Sequence, residues 1–341
     1  MNTAMLDDVS LIALLVAMGL YAAAFIAFAL DLARRSGLVA DAATAAARQP
    51  SAVGATAARR GGTATIEREP ASSGRDRAAT GPDAPVAAGR SLSLNVAMVL
   101  LVVGFVAHAV ATVLRGLAAS RVPWANMYEF AMTGTLLILS VYLIVLTRRD
   151  LRFLGTFVTG LVLILLGVAV VQYRVEVAPL PPSLQSYWLV IHVFVAALGT
   201  GFFALAFALS GVQLLQFRRE SLAAGAQAAK LRFLATLPDS VTLESMAYRL
   251  NIVGFIFWTF TLMAGAIWAE RAWGRYWGWD TKEVWTFIIW VLYAGYIHAR
   301  ATRGWRGSRS AWLAIIGFSA VMFNFGVVNV FFKGLHTYSG L

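Results

Sequence analysis

"LNVAMVLLVVGFVAHAVATVL", residues 94–114, contains no carboxylate, lysine or arginine. At ~1.5 Å of helical rise per residue it reaches ~30 Å, the thickness of the hydrocarbon core of a bilayer. Seven further apolar spans lie around it, at 9–31, 126–147, 153–172, 184–217, 251–269, 284–300 and 311–332. The chain is 59% hydrophobic and 13% charged, with a mean hydropathy of +0.71. A soluble domain could not hide that much apolar surface. The pattern predicts an all-α integral membrane protein of about eight transmembrane helices. The span at 184–217 exceeds what a bilayer needs, so it is expected to tilt or project.

Charge sets the expected orientation. The first span opens with Asp7 and Asp8 and closes with Arg34 and Arg35, the reverse of a signal peptide, which predicts a retained anchor with its N-terminus outside. The inner segments are then 33–93, 148–152, 218–250 and 301–310. With Arg300 counted in the last, they carry 21 of the 28 Lys and Arg residues. The other seven, Arg115, Arg121, Arg174, Arg271, Arg275, Lys282 and Lys333, fall outside. This positive-inside bias accounts for the net charge of +11 without nucleic acid as a partner. Both termini are expected outside the plasma membrane. Residues 1–35 read as a transmembrane anchor. Residues 36–92, rich in Ala, Gly, Ser, Thr, Pro and Arg and lacking periodicity, read as a disordered cytoplasmic linker. Residues 93–341 read as a seven-helix domain with an external loop at 271–284.

The chain has no cysteine, which excludes disulfides, thiolate ligands and thiol nucleophiles. Any iron must be held by other groups, and there are four histidines: His108, His192, His298 and His336. The external loop reads "WGRYWGWDTKEVW" over residues 273–285, with Trp273, Tyr276, Trp277 and Trp279 packed into seven positions. An interfacial aromatic belt is one reading. A flat surface for a flat ligand is the other, and it alone explains why two histidines frame the loop. His192 falls about two turns inside the outer end of its span, and His336 just beyond the last span. His298 follows Glu283 by fifteen residues, ~22 Å of helix, which puts it near the inner leaflet. His108 falls in the outer half of 94–114. An intramembrane histidine serves either as a hydrogen-bonding group between helices or at a functional site. Two imidazoles on opposite faces of a planar macrocycle would ligate its iron. Arg271, Arg275, Lys282 and Arg121 are the outer cations suited to its carboxylates. Asp280 and Glu283 suit scaffolding beside those carboxylates or a helix cap. No general base is identifiable, so no catalytic side chain is assigned.

The loop resembles the tryptophan-rich WWD signature of haem-handling membrane proteins, and most of all the CcsA/ResC family of cytochrome c biogenesis system II, some of whose members are called CcsB. Supporting matches are "PWANMYEF" at 123–130, "SYWLVIHV" at 186–193, "YIHAR" at 296–300 and "GLHTY" at 334–338. The resemblance covers about 93–341, and Thr281 stands where the family carries proline. It implies that His192 and His336 ligate haem b at the external platform, made with Trp273, Tyr276, Trp277, Trp279, Asp280, Arg271 and Arg275. It implies that His298 ligates haem within the membrane. The implied function is presentation of haem on the outer face for thioether attachment to a C-x-x-C-H apocytochrome c. The implied partners are a ResB/CcsB-type membrane protein and a thiol-reducing thioredoxin-like protein, the whole acting as a cytochrome c synthase complex. Two rivals are a transporter of haem or another small anion and a b-type electron-transfer protein. The first would favour internal repeats or broken helices. The second would favour histidines paired at one depth, whereas His108 and His298 are separated by roughly 10 Å or more along the normal.

Overall fold

The computed structural model describes residues 2–48, 91–180, 184–222, 231–302 and 304–336. These residues form only helices and their connections, as an apolar chain in lipid must, because a helix satisfies its own backbone groups. The long helices are α1 (Thr3–Arg48), α2 (Leu92–Ala119), α3 (Met127–Leu146), α4 (Gly155–Gln172), α5 (Tyr187–Ser221), α6 (Ser240–Trp273), α7 (Thr281–Thr302) and α8 (Ser308–Phe323). Beyond α8 the chain widens into a π-turn, Asn324–Val328, and one last turn, Asn329–Phe331.

Among the described residues, seven helices are long and apolar enough to cross a membrane. The eighth expected span, 284–300, is helical within α7 but less apolar, because Trp285, Trp290, Tyr293, Tyr296 and His298 carry polar edges. Two other expectations shift. The 36–92 linker is helical up to Arg48, as a continuation of α1, and its remainder from 49 to 90 lies outside the described residues. The inner segment 218–250 is helical at both ends, since α5 runs on to Ser221 and α6 begins at Ser240. There Asp239 caps α6, its carboxylate accepting from Thr242 N at 2.8 Å.

Small residues set the closest packing. A Cβ at Gly104 on α2 would come within 2.8 Å of the Tyr21 ring on α1. One at Gly254 on α6 would meet Phe203 of α5 at 2.7 Å. Glycine at these crossings lets apolar helices approach where lipid supplies no hydrophobic drive. Leu14, Ala17, Tyr21 and Ala24 of α1 are fully buried in the core that also holds Leu139, Phe203 and Tyr293, so α1 is one of its walls.

At one end of the bundle, buried charges tie the helices together. Arg115 of α2 is wholly buried; it donates to Asp7 of α1 at 2.5 Å, to Glu129 of α3 at 3.0 Å and to the Val175 carbonyl at 2.9 Å. Arg121 adds a 2.6 Å bond to Glu129. Buried ions are costly alone, so each guanidinium and carboxylate needs the others.

Candidate functional site

The site grows from the start of α7. Asp280 caps this helix through its carbonyl, which accepts from Val284 N at 2.9 Å. Glu283 folds back so that its Oε2 accepts from Gly278 N at 2.8 Å and Asp280 N at 3.1 Å. A carboxylate at the third helical position bonding the N-cap amide is a capping box, and it gives the tryptophan loop a fixed base. Two glycines permit the close approaches. A Cβ at Gly278 would overlap the Arg275 guanidinium, and one at Gly334 would overlap the Asp280 carboxylate.

His336 and His192 line one cleft, and each has its Nδ1 held by an oxygen. The His336 Nδ1 lies 2.6 Å from Asp280 Oδ2, and the His192 Nδ1 lies 3.0 Å from the carbonyl oxygen of Thr261 on α6. Both oxygens are acceptors, so each neutral ring donates from Nδ1 and keeps the Nε2 lone pair free. This is how metal-ligating histidines are oriented. A Cβ at Gly265 would come within 2.7 Å of the His192 ring, so glycine there makes room for the imidazole. The hydrogen bond from His336 also holds the Asp280 carboxyl below the usual carboxylate range, against the opposing effect of burial.

Trp268, nearly fully buried, packs against both histidines. Its indole stacks on His192 with centroids 5.8 Å apart and meets His336 edge-on at 5.4 Å. Trp273 packs edge-on to both Trp268 and His336. The remaining rings of the loop are turned outward. Tyr276 is 65% exposed and Trp279 75% exposed, while Trp277 packs edge-on to Trp279 at 5.8 Å and also lines the cleft. Trp279 has φ of 59°, a left-handed conformation that costs a residue with a Cβ roughly 1–2 kcal/mol. The surrounding loop therefore holds an exposed indole in a strained position.

The cleft encloses about 1500 Å³ of atom-free space, counting its open mouth. Its walls are mostly apolar and aromatic, Trp124, Phe130, Trp258 and Phe325 among them. A planar macrocycle bearing iron fits this chemistry: ring faces on its sides and two nitrogens with free lone pairs. Among the described residues no cluster of three or more His, Asp or Glu side chains could hold a bare metal ion.

The expected cations separate. Arg121 is held by Glu129, and Arg271 is 66% exposed beside Glu270. Arg275 lies 4.0 Å from Glu283 Oε1, outside the cleft lining. Lys282 is in the cleft wall. His298 is exposed on α7 and is not part of this cleft. His108 is fully buried at the α1–α2 contact, with Nδ1 3.2 Å from the Tyr21 hydroxyl, and serves there as an interhelical hydrogen-bonding group. Sequence reasoning passed over Trp268, Thr261, Gly265, Asn324 and Asn329. Trp268 had a legible signal, five residues before Trp273 on one helix, and the others had none.

Residues 124–336 match the family model described as cytochrome C assembly protein. The chain is 36% identical over 245 residues to the cytochrome c biogenesis protein CcsA of Guillardia theta, covering 67% of this chain and 80% of that protein. It is 32% identical over 248 residues to the protein of the same name from Heterosigma akashiwo, covering 64% and 77%. With that of Chlorella vulgaris it shares 34% over 257 residues, covering 67% and 81%.

Proposed function

Because this chain belongs to the cytochrome c assembly protein family and so to cytochrome c biogenesis, we propose that it binds haem b in the cleft between His192 and His336 and presents it to an apocytochrome c. The observation that carries this reading is the pair of imidazoles in one aromatic cleft, each with Nδ1 engaged and Nε2 free.

In this reading the tryptophan loop, both termini and the cleft mouth face the extracytoplasmic side of the plasma membrane. Thr261 and Asp280 hold the two imidazoles in register before the substrate arrives. Trp268 and Trp273 exclude water beside them, while Tyr276, Trp277 and Trp279 form the outer shelf on which the haem edge rests. Attachment adds a substrate thiol across each vinyl group: sulfur bonds to carbon, the thiol proton ends on the neighbouring carbon, and nothing leaves. The step is redox-neutral, so the thiols of the C-x-x-C-H segment must arrive reduced, the task of a thioredoxin-like partner. The protein contributes position, bringing vinyl and thiol into near-attack geometry. Lacking cysteine, it offers the vinyls no thiol of its own. The substrate histidine can displace one of the two imidazoles. His298, exposed on α7, is assigned to a second, inner haem whose other ligand comes from a ResB/CcsB-type partner.

The test replaces His192 or His336 by Gly in the full chain expressed with its partner. Each change should abolish cytochrome c maturation and the low-spin spectrum of the external haem, and added imidazole should restore part of both. An unchanged low-spin spectrum in both variants would overturn the assignment.

A further inference from the structure

We propose that Lys282 is the residue by which the cleft recognises a carboxylate on its ligand, so that the site selects a macrocycle bearing free acid groups; this rests on the haem reading above. Lys282 Nζ donates to the carbonyl oxygen of Asn324 at 2.9 Å and to Asn329 Oδ1 at 2.6 Å. Both acceptors are neutral. An ammonium has three donors; among the described residues the third has no partner and Lys282 enters no ion pair.

The nearby acids have partners of their own, although Glu283 Oε1 accepts no hydrogen bond among the described residues. Asp280 is bonded to His336, while Glu283 accepts from two backbone amides and faces Arg275. Lys282 is therefore a basic group in the wall of an apolar cleft, its ammonium pKa pushed down to about 7 by burial although the nearby Asp280 charge opposes this. A carboxylate donated by the ligand would hold it in its charged form, and a site of low polarity makes that pairing strong.

Local structure supports the same reading. Asn324 opens the π-turn at the end of α8, a widening of the helix that recurs at functional sites, and its carbonyl is one of the two that hold Lys282. Asn324 is only 4% exposed and lines the cleft, and its side-chain Oδ1 has no hydrogen-bond partner. Asn329 Nδ2 is bonded to Met127 Sδ, a weak acceptor. Lys282 is thus held by a replaceable set of neutral groups. On arrival of a carboxylate, the ammonium can direct its third N–H to it, or exchange Asn329 for it, without stranding a charged partner.

The experiment uses the purified full chain and two probes, ferric protohaem and its dimethyl ester, which lacks the free acids but keeps ring, iron and vinyls. The readout is the ratio of their dissociation constants. The wild type should prefer the free acid by roughly tenfold to a hundredfold, the size of a hydrogen bond to a charged group. Lys282→Met should bring the ratio close to one while bound protohaem keeps its low-spin spectrum. Lys282→Arg should retain part of the preference. Asn329→Asp is the second variant: it supplies an internal carboxylate to an intact Lys282 and should also flatten the ratio. A wild-type ratio in both Lys282→Met and Asn329→Asp overturns the inference alone, provided His192→Gly still removes the low-spin spectrum. If His192→Gly and His336→Gly leave that spectrum unchanged, the cleft reading itself fails and the inference with it.

Discussion

Asp280→Asn isolates the charge that stands behind His336. The wild-type carboxylate accepts from the His336 ring at 2.6 Å and from Leu335 N at 3.3 Å, while its backbone caps α7. Asparagine is nearly isosteric and caps a helix as well as aspartate does, and Glu283 still bonds the backbone amide of residue 280. Helix start and loop base should therefore survive. The amide oxygen can accept from Nδ1, so the ring should stay in place but lose the anion that makes it a better donor to iron. Carboxylates in this position typically contribute 10- to 100-fold in metal affinity, or ~1.4–2.7 kcal/mol. Titration of ferric haem into purified variants should show Asp280→Asn weakened within that range and Asp280→Ala weakened further, because alanine loses the orientation too. The pH dependence follows from the depressed Asp280 carboxyl. A carboxylate whose folded value lies below its unfolded value of about 3.9 contributes in full above that value and is lost as the pH falls through the lower one. The stability this carboxylate contributes, read as the difference in thermal midpoint between wild type and Asp280→Asn, should accordingly be lost only as the pH falls below about 4. Equal affinities for wild type, Asn and Ala at neutral pH would refute the role of this carboxylate.

Gly265→Ala places a methyl group 2.7 Å from the His192 ring; the low-spin spectrum of the external haem should fall while the protein accumulates normally on an immunoblot of the membrane fraction. Arg115→Met leaves the partly exposed Asp7 and the buried Glu129 with one guanidinium fewer, and breaking a buried pair costs about 3–5 kcal/mol; thermal denaturation in detergent should shift down strongly, and less so when Glu129→Gln is added. His298→Ala, on the exposed face of α7, should leave the haem ligated by His192 and His336 intact and remove a second haem only from the complex with its partner; loss of that haem with His108→Ala to the same degree would contradict the assignment. Trp279→Gly relieves the positive φ yet removes the indole, so loop stability in hydrogen exchange should hold or rise while haem retention falls.

The membrane class was legible from residues such as 94–114 because bilayer thickness fixes a length of apolar helix, a constraint each segment meets alone. The histidines and the tryptophan loop were legible as types for a similar reason, since ligand and ring chemistry belong to the side chain. Helices α5 and α6 run on into the polar segment 218–250 from either end, because polarity marks where a helix leaves the bilayer and leaves open where the helix ends. α7 fell short as an apolar span because its tryptophans, Tyr293, Tyr296 and His298 carry polar groups.

By itself, then, the sequence determined that the protein is a helical membrane chain without thiols, carrying four histidines and a dense aromatic loop. Tertiary structure alone decided which groups act together. The acceptors that orient His192 and His336 are Thr261, 69 residues away, and Asp280, 56 residues away. Of four candidate cations, Lys282 is the one brought into the cleft wall, because Arg121 is taken by Glu129 while Arg271 and Arg275 lie beside other acids and outside the lining. The physical reason is that a hydrogen bond is decided by ångströms between side chains on different helices. Periodicity along a chain sets which face a residue occupies on its own helix, and only packing sets what that face meets.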